Sequence, residues 1–260
     1  MAGHFIHYLK REITTRIQQK ETPFYVVEQH LQDGFARPTY HITRRNSGPV
    51  KKIKKGSVIW LFSSLKSPWG ILPPSLDAKF VVESVEFLLD GRTKFCSNKK
   101  SRWFPLLDAS PLIDNLKTID NMGREKKLRD DKKPLGLYLQ SIRELSDPDP
   151  LIRWSDRIRT AEFNFISYRI KDGTKSAFFK VRNLMEEGEV IFWDRYSLPR
   201  RLVERREIVD NEILNEYLME QIKLSRRVWG IETPKYAELD SYSLKEALLA
   251  KQLNKYQPVN

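Results

Sequence analysis

The stretch Glu162-Phe-Asn-Phe-Ile-Ser-Tyr-Arg169 (EFNFISYR) places a short apolar run directly before a hydroxyl, a phenol and a guanidinium. Short runs rich in Phe and Ile are typical of a buried strand. In open α/β sheets, ligands bind beyond the carboxyl ends of the strands. We therefore expect this stretch to be a strand of such a sheet, with Ser167, Tyr168 and Arg169 at the ligand-binding edge.

Strand and helix patterns alternate from this stretch to the end of the chain. Apolar residues at i, i+3 and i+4 predict amphipathic helices, and short apolar runs between them predict strands. The further predicted strands are EVIFW (189–193) and RRVWGIE (226–232), and the predicted helices are TKSAFFKVRNLMEEG (174–188), EIVDNEILNEYLMEQIKLS (207–225) and SYSLKEALLAKQL (241–253). Repeated strand–helix units imply a parallel sheet with crossover helices, here with three strands.

A different pattern occupies the first half of the chain. The runs YHITRR, SVIWLFSS, AKFVVESVEFLL and TKFCSN are rich in β-branched and aromatic residues and bounded by Gly, Pro and Asn. They predict a strand-rich α+β domain over residues 1–125. A charged, proline-containing segment with a short helix, residues 126–159, is expected to link it to residues 160–260. KKIKKGSVIWL (51–61) and the proline-rich loop after it resemble small barrels of the PUA and EVE type, which bind RNA or modified bases.

Charge is distributed unevenly along the chain. The net charge is +12, and residues 1–150 hold 26 basic against 17 acidic residues, with a basic cluster at Lys51–Lys55. Basic excess favours partners that carry phosphate, so we expect an anionic ligand or a nucleic acid at the N-terminal domain. A solvated surface that keeps the protein soluble is the alternative.

Several classes of protein and site are not expected. The lone Cys96 excludes an internal disulfide. No apolar run approaches the ~20 residues that span a bilayer, and the N-terminus lacks a signal-peptide pattern, so we expect a cytoplasmic protein without a membrane partner. The four histidines lie at positions 4, 7, 30 and 41, without Cys or carboxylate partners at ligand spacing, so no metal site is expected. Walker and Rossmann glycine patterns and Gly-x-Ser-x-Gly are not found.

Four blocks follow one another in the second half of the chain: FISYR (165–169) with Asp172 after it, Gly188 before EVIFWD (189–194), TPKY (233–236), and SYSLKEAL (241–248) with Glu246. In this order and at this spacing they resemble the Toll/interleukin-1 receptor (TIR) domain family. The resemblance covers about residues 160–255. It implies the α/β fold class, with a flavodoxin-like, shortened parallel sheet after the strand-rich N-terminal domain.

Many TIR domains hydrolyse NAD at the bond between nicotinamide and ribose, and the resemblance assigns the catalytic role to Glu246. A carboxylate beside the ribose stabilises the positive charge of an oxocarbenium-like transition state without a metal. NAD is then a substrate, and no cofactor is expected. The resemblance implies that Arg169 meets a phosphate and that Tyr242 stacks on a flat ring. The full expected substrate-binding set is Ser167, Tyr168, Arg169, Asp194, Tyr196, Ser241 and Tyr242.

Relatives in this family act after assembly, so the resemblance implies self-association on activation through the loop that begins at Asp194 and Tyr196. It also implies an effector of bacterial antiphage innate immunity that depletes NAD. Two alternatives stay open. In the first alternative, the TIR-like part is a non-catalytic adaptor. In the second, the basic N-terminal domain binds nucleic acid and is the functional part.

The chain departs from the family in three respects, one of which is the long and unusually basic loop between Asp194 and the second helix. The family sheet continues with further strands, whereas three predicted strands leave an unpaired edge, which is a liability. Three explanations are open: the N-terminal domain covers that edge, a partner chain covers it, or the fold is a reduced variant of the family fold. In addition, Tyr242 and Ser243 replace the Trp-Cys pair that the family carries beside its glutamate.

Overall fold

The computed structural model describes residues 3–15, 23–27, 37–38, 40–44, 48–129, 134–194, 211–236 and 241–259. The described strands are β1 (His4–Thr15), β2 (Pro23–Val27), β3 (Tyr40–Thr43), β4 (Val58–Ser67), β5 (Gly70–Ile71), β6 (Ser75–Phe87), β7 (Thr93–Ser97), β8 (Arg102–Trp103), β9 (Lys117–Ile119), β10 (Glu125–Lys127), β11 (Arg143–Leu145), β12 (Asn164–Tyr168), β13 (Ile191–Trp193), β14 (Arg227–Ile231) and β15 (Tyr256–Val259). The described helices are α1 (Gly48–Lys52), α2 (Ser110–Ile113), α3 (Leu135–Tyr138), α4 (Asp149–Thr160), α5 (Ile170–Glu186), α6 (Asn211–Leu224) and α7 (Tyr242–Gln252).

The first sheet has the order β10-β9-β11-β1-β4-β6-β7-β3, with β2 beside β1, β5 beside β4 and β8 beside β6. Its described pairs are antiparallel except β1 with β4, which is parallel. Three strands separate β3 from β1 in this sheet, yet Nε2 of His41 on β3 lies 2.9 Å from Nδ1 of His7 on β1. The sheet is therefore strongly curled.

Strand β4 explains why the first sheet forms two cores. Its sequence, VIWLFSSLKS, is buried almost throughout. Ile59 and Leu61 join Phe80 and Phe95 on one face, whereas Trp60 and Phe62 join a second cluster on the other. A strand that is covered on both faces needs a continuous apolar run, which is what this stretch of sequence provides.

Residues 126–159, the segment expected to connect the two domains, carry elements of the first sheet and its cover. Strand β11 pairs with β1, opposite Phe5 and Ile6. Helix α4 buries Leu151 and Ile158 in the cluster that contains Trp60. The charged residues of α4 that are described as exposed, such as Arg153 and Arg157, therefore lie on the outside of an ordered element.

The second sheet is parallel throughout and has the order β13-β12-β14-β15. The expectation of three strands was wrong, because β15 adds a fourth at the C-terminal end of the described chain. Its sequence, YQPV, is short and contains Pro258, and proline is tolerated in edge strands. A run of four residues with a proline gives no clear strand pattern.

Helices cover both faces of the second sheet. Helix α5 packs on the face that carries Ile166 and Trp193. Helices α6 and α7 pack on the opposite face, where Phe165 and Val228 lie. This arrangement follows from strand alternation, since neighbouring residues such as Phe165 and Ile166 point to opposite faces. The result is a doubly wound α/β layer.

A Schellman motif ends α5. Gly188 has a φ of 75°, and its N–H donates to the carbonyl of Met185, while the N–H of Glu189 donates to Leu184. Glycine adopts this left-handed conformation without steric cost, which is why the predicted helix stops here. The turn leads directly into β13.

Residues of the N-terminal part cover the outer edge of the second sheet. The N–H of Leu106 donates to the carbonyl of Ile191 at 2.8 Å, and Ile191 donates back at 2.9 Å. Trp69 packs against Phe178 on α5, at 5.9 Å between ring centroids. Of the three explanations for the exposed edge, the structure shows cover by the N-terminal part at β13.

The longest described helix has 17 residues, and no described helix is both long enough and apolar enough to cross a bilayer.

Candidate functional site

A serine, a tyrosine and a glutamate meet at the carboxyl end of the parallel sheet. Ser167 on β12 donates from Oγ to Oε2 of Glu246 at 2.5 Å. The same Oγ lies 2.7 Å from the hydroxyl of Tyr236, which lies five residues beyond the end of β14. Glu246 belongs to α7, and all three side chains are buried. The cluster lies where β12 and β14 run side by side.

The start of α7 holds the glutamate in place. Ser241 is the N-cap, and its hydroxyl accepts a hydrogen bond from the N–H of Leu244 at 3.1 Å. Ser243 donates to the carbonyl of Tyr236 at 2.6 Å. These contacts tie the first turn of the helix to the loop that carries the tyrosine. Glu246, one turn further on, therefore points at the sheet.

Burial dominates the electrostatics of the carboxyl. It raises the pKa of Glu246 from 4.5 to about 8, the hydrogen bond from Ser167 acts against the rise, and the negative charge of Asp194 adds to it. Burial likewise raises the pKa of Tyr236 to about 12. The raised pKa of Glu246 favours its protonated form at neutral pH.

A second pair of polar side chains extends this cluster towards the surface. The hydroxyl of Tyr256 on β15 donates to Oε1 of the exposed Glu232 at 2.7 Å. Besides burial, each of Tyr236 and Tyr256 also shifts the pKa of the other, so the two phenols are close neighbours. The Tyr256 ring lies directly over Gly230, where a Cβ atom would be 2.2 Å from its hydroxyl.

The other residues expected at the site have different positions. Tyr168 is buried on the α5 face of the sheet, at 6.2 Å from Trp193 between ring centroids, so it faces away from Glu246. Arg169 is the N-cap residue of α5 and forms an ion pair with Asp172 at 3.3 Å.

Three further expected residues lie around the carboxyl edge or beyond the described chain. Asp194 directly follows β13 and lies close enough to influence Glu246 electrostatically. Tyr242 is the first residue of α7, half-buried, with the Lys245 ammonium 6.0 Å from its ring centroid. Tyr196 lies outside the described residues.

Sequence reasoning missed three participants in the cluster. Tyr236 stands in the TPKY block that the resemblance singled out, so a signal for it existed. Glu232 stands at a predicted strand end. Tyr256 follows the last predicted helix and had no signal, because its role depends on β15 and on the gap at Gly230.

The first sheet encloses its own buried polar groups. His7 and His41 share a hydrogen bond, and burial together with His7 lowers the pKa of His41 well below its ordinary value. Arg11 Nε lies 2.9 Å from Asp77 Oδ2 as an ion pair, and Ser63 donates to Asp77 Oδ1 at 2.9 Å. Within the described ranges, no group of three or more His, Cys, Asp or Glu side chains is arranged to hold a metal.

The basic cluster at Lys51–Lys55 is partly neutralised. Lys52 pairs with Glu144 at 2.5 Å, and Lys55 pairs with Glu83.

A separate cleft of about 560 Å³ opens at the amino-terminal end of the parallel sheet, between Trp103, Ile158, Phe163 and Tyr217. This cleft does not include Glu246 and does not mark the carboxyl-edge cluster.

No protein-family model, no curated protein and no solved structure matches this chain.

Proposed function

We propose that this protein is a TIR-type NAD⁺ hydrolase in which Glu246 is the catalytic carboxyl group. The observation that carries the proposal is the position of Glu246, buried beside Ser167 at the carboxyl end of a parallel sheet. A buried carboxyl with a raised pKa at a ligand-binding edge is a typical candidate for a catalytic group.

The order of the strands supports this position for a ligand. The chain passes from β12 to β13 on one side and then to β14 on the other, so the connections reverse between β12 and β14. In doubly wound sheets, ligands bind beyond the carboxyl ends at this switch point, and flavodoxin-like sheets share the same order for their first four strands. Ser167 and Glu246 lie at this point.

The proposed chemistry follows from the charge of the substrate. The nicotinamide ring of NAD⁺ is cationic, and its approach favours the ionised form of Glu246. The bond between nicotinamide nitrogen and ribose breaks, its electron pair leaves with neutral nicotinamide, and positive charge develops on the ribose. The Glu246 carboxylate stabilises that charge. Water then adds to the ribose carbon and loses a proton, which gives ADP-ribose.

Other residues bind and orient the dinucleotide in this proposal. Arg169 exchanges its ion pair with Asp172 for a phosphate, which a guanidinium can bind through two parallel hydrogen bonds. Tyr242 stacks on a flat ring at the start of α7. Asp194 and Tyr196 begin the loop through which neighbouring copies self-associate on activation.

The biological part of the proposal concerns the trigger. The protein acts in the cytoplasm as an effector of bacterial antiphage immunity, and its strand-rich N-terminal part binds an anionic ligand. Contact between the two parts supports such coupling, because Trp69 and Leu106 pack directly on the α/β layer. Depletion of NAD then arrests the infected cell.

Nicotinamide release from NAD⁺ by concentrated purified protein, with a crowding agent, tests the proposal. The variants are Glu246→Gln and, as a matched control on the exposed end of α5, Glu187→Gln. Release by the wild type and the control, abolished in Glu246→Gln, is the expected result. Equal release by all three contradicts the role of Glu246. If none releases nicotinamide, even with extract from infected cells, the adaptor function is favoured instead.

A further inference from the structure

Three hydrogen bonds and one pair of neighbouring tyrosines connect the buried carboxyl of Glu246 with the surface of the protein. Glu246 bonds to Ser167 at 2.5 Å, and Ser167 bonds to Tyr236 at 2.7 Å. Tyr236 and Tyr256 lie close enough to shift each other's pKa, and Tyr256 donates a hydrogen bond to the exposed Glu232 at 2.7 Å. Every group between the two carboxyls is a hydroxyl, which can accept one proton and donate another.

We propose that Ser167, Tyr236 and Tyr256 form a proton path between Glu246 and Glu232 at the surface. Glu246 is almost completely buried, with 6% of its surface exposed, whereas Glu232 is exposed. The path lets Glu246 exchange its proton without opening the site to water. Its existence does not depend on the reaction, but its use in turnover rests on the proposed NAD⁺ hydrolysis.

The missing side chain of Gly230 makes the path possible. Gly230 is the penultimate residue of β14, opposite Ser167 in β12 and Pro258 in β15. A Cβ atom there would lie 2.2 Å from the hydroxyl of Tyr256 and 2.5 Å from two of its ring carbons. Glycine inside a strand costs stability and marks a close approach by another group. Here it lets the Tyr256 ring lie along the sheet towards Tyr236.

The proton moves without any net change in the hydroxyl groups. The hydroxyl of Ser167, which donates to Glu246 in the structure, first turns towards Tyr236 so that its oxygen can accept from the protonated carboxyl. Glu246 then gives its proton to Ser167, Ser167 gives its own to Tyr236, Tyr236 to Tyr256, and Tyr256 to Glu232. Four O–H bonds break and four form, so Glu246 ends as a carboxylate and Glu232 as an acid that releases its proton to water. Because the shift is concerted, neither tyrosine becomes a phenolate, whose formation burial opposes.

The charges around the path give it a direction. Asp194 is the charged group that acts on Glu246 from the β13 side, and it favours the protonated acid. A cationic substrate reverses this preference, since a nearby positive charge favours the carboxylate. The proton displaced from Glu246 therefore has to leave as the substrate enters, and the path carries it away from the substrate-binding edge.

Infrared spectroscopy after a rapid pH jump tests the path without any substrate. The carbonyl band of protonated Glu246 is identified as the band that Glu246→Gln removes. Its decay after a jump from about pH 6 to about pH 9 measures how fast the buried acid loses its proton. The variants are Tyr236→Phe and Tyr256→Phe, which each remove one oxygen atom, and Gly230→Ala, which displaces Tyr256.

We expect deprotonation to be slower by a factor of about 100 or more in both phenylalanine variants, since positioned proton-transfer groups typically contribute about 10²–10⁴-fold. Tyr217→Phe is the control, since Tyr217 packs on the same face of the sheet but outside the path. Gly230→Ala is expected to behave like Tyr256→Phe. If both phenylalanine variants lose the proton as fast as the wild type, the path is refuted.

The outcome for the path and the outcome for the function are separable. Slow deprotonation in the variants without any NAD⁺ cleavage by the wild type supports the path and contradicts the function. Cleavage by the wild type with unchanged deprotonation rates supports the function and contradicts the path. If Gly230→Ala fails to fold, the two phenylalanine variants still decide the question, because they leave ring packing intact.

Discussion

Ser167 and Glu246 are 79 positions apart in the chain, yet the serine hydroxyl lies 2.5 Å from the glutamate carboxyl. The serine is the penultimate residue of a central strand, and the glutamate comes from the helix that packs over it. Their contact buries an acid that has no cationic partner among the groups that shift its pKa. This relationship determines how the candidate site responds to pH.

The rate of NAD⁺ hydrolysis is expected to depend on pH through Glu246. Because the pKa of this carboxyl is about 8 in the free protein, kcat/KM for nicotinamide release should rise about tenfold per pH unit below that value and level off above it. The cationic substrate lowers the pKa, so kcat should level off at lower pH. Initial rates from about pH 5.5 to about pH 9.5 measure both profiles. Coincident profiles for kcat and kcat/KM speak against this assignment.

Stability should depend on pH through the same group. The folded protein keeps the proton on Glu246 up to about pH 8, whereas the unfolded chain loses it near 4.5. Unfolding therefore releases a proton in this window, so stability is fully present below 4.5 and falls as pH rises to about 8. Glu246→Gln removes this dependence and should gain roughly 3 to 5 kcal/mol relative to wild type between those pH values. Denaturant unfolding of both proteins measures the difference, and a constant difference contradicts the prediction.

The contact between the two sheets should depend on Phe178 rather than on its neighbour. Phe178 is fully buried and touches Trp69, whereas Phe179 is 40% exposed on the same helix. Phe178→Ala should cost about 3 to 5 kcal/mol of unfolding free energy. Phe179→Ala is the matched control and should cost less than about 1 kcal/mol. Similar losses in both variants mean that Phe178 does not carry the contact.

The buried ion pair inside the first sheet should be sensitive to the removal of one charge. Asp77 and Arg11 are almost completely buried, and Asp77→Asn leaves the guanidinium charge without its carboxylate. Breaking such a pair costs about 3 to 5 kcal/mol. The control is Asp114→Asn, which breaks the exposed pair with Arg129 and should cost less than about 1 kcal/mol. Chemical denaturation of the two variants compares these costs, and equal small losses refute the role of burial.

Part of the fold was predictable because it depends on local patterns in the amino-acid sequence. The apolar run that becomes β12, the 3.6-residue periodicity of α5 and the glycine that ends it are each visible within about 20 residues. The fourth strand, β15, was not predictable, because its short sequence has no strand pattern. Only its pairing with β14 in the folded protein identifies it as a strand.

The candidate site was predictable to a smaller extent. Glu246 and Ser167 were expected there and lie in contact. Tyr168 was expected beside them, but alternation along β12 turns it to the opposite face, under α5. Tyr256 was not expected, because its place in the site depends on open space above Gly230.

By itself, the sequence determined which segments become β12, β13, β14, α5 and α7, since periodicity acts over a few residues. It also determined that a carboxyl group and several hydroxyls would be available near strand ends. Only the tertiary structure decided that Ser167, Tyr236, Tyr256 and Glu246 meet on one face of one sheet. Burial, and with it the raised pKa of Glu246, depends on how helix and sheet pack, because desolvation is a property of the whole surrounding volume and not of neighbouring residues in the chain.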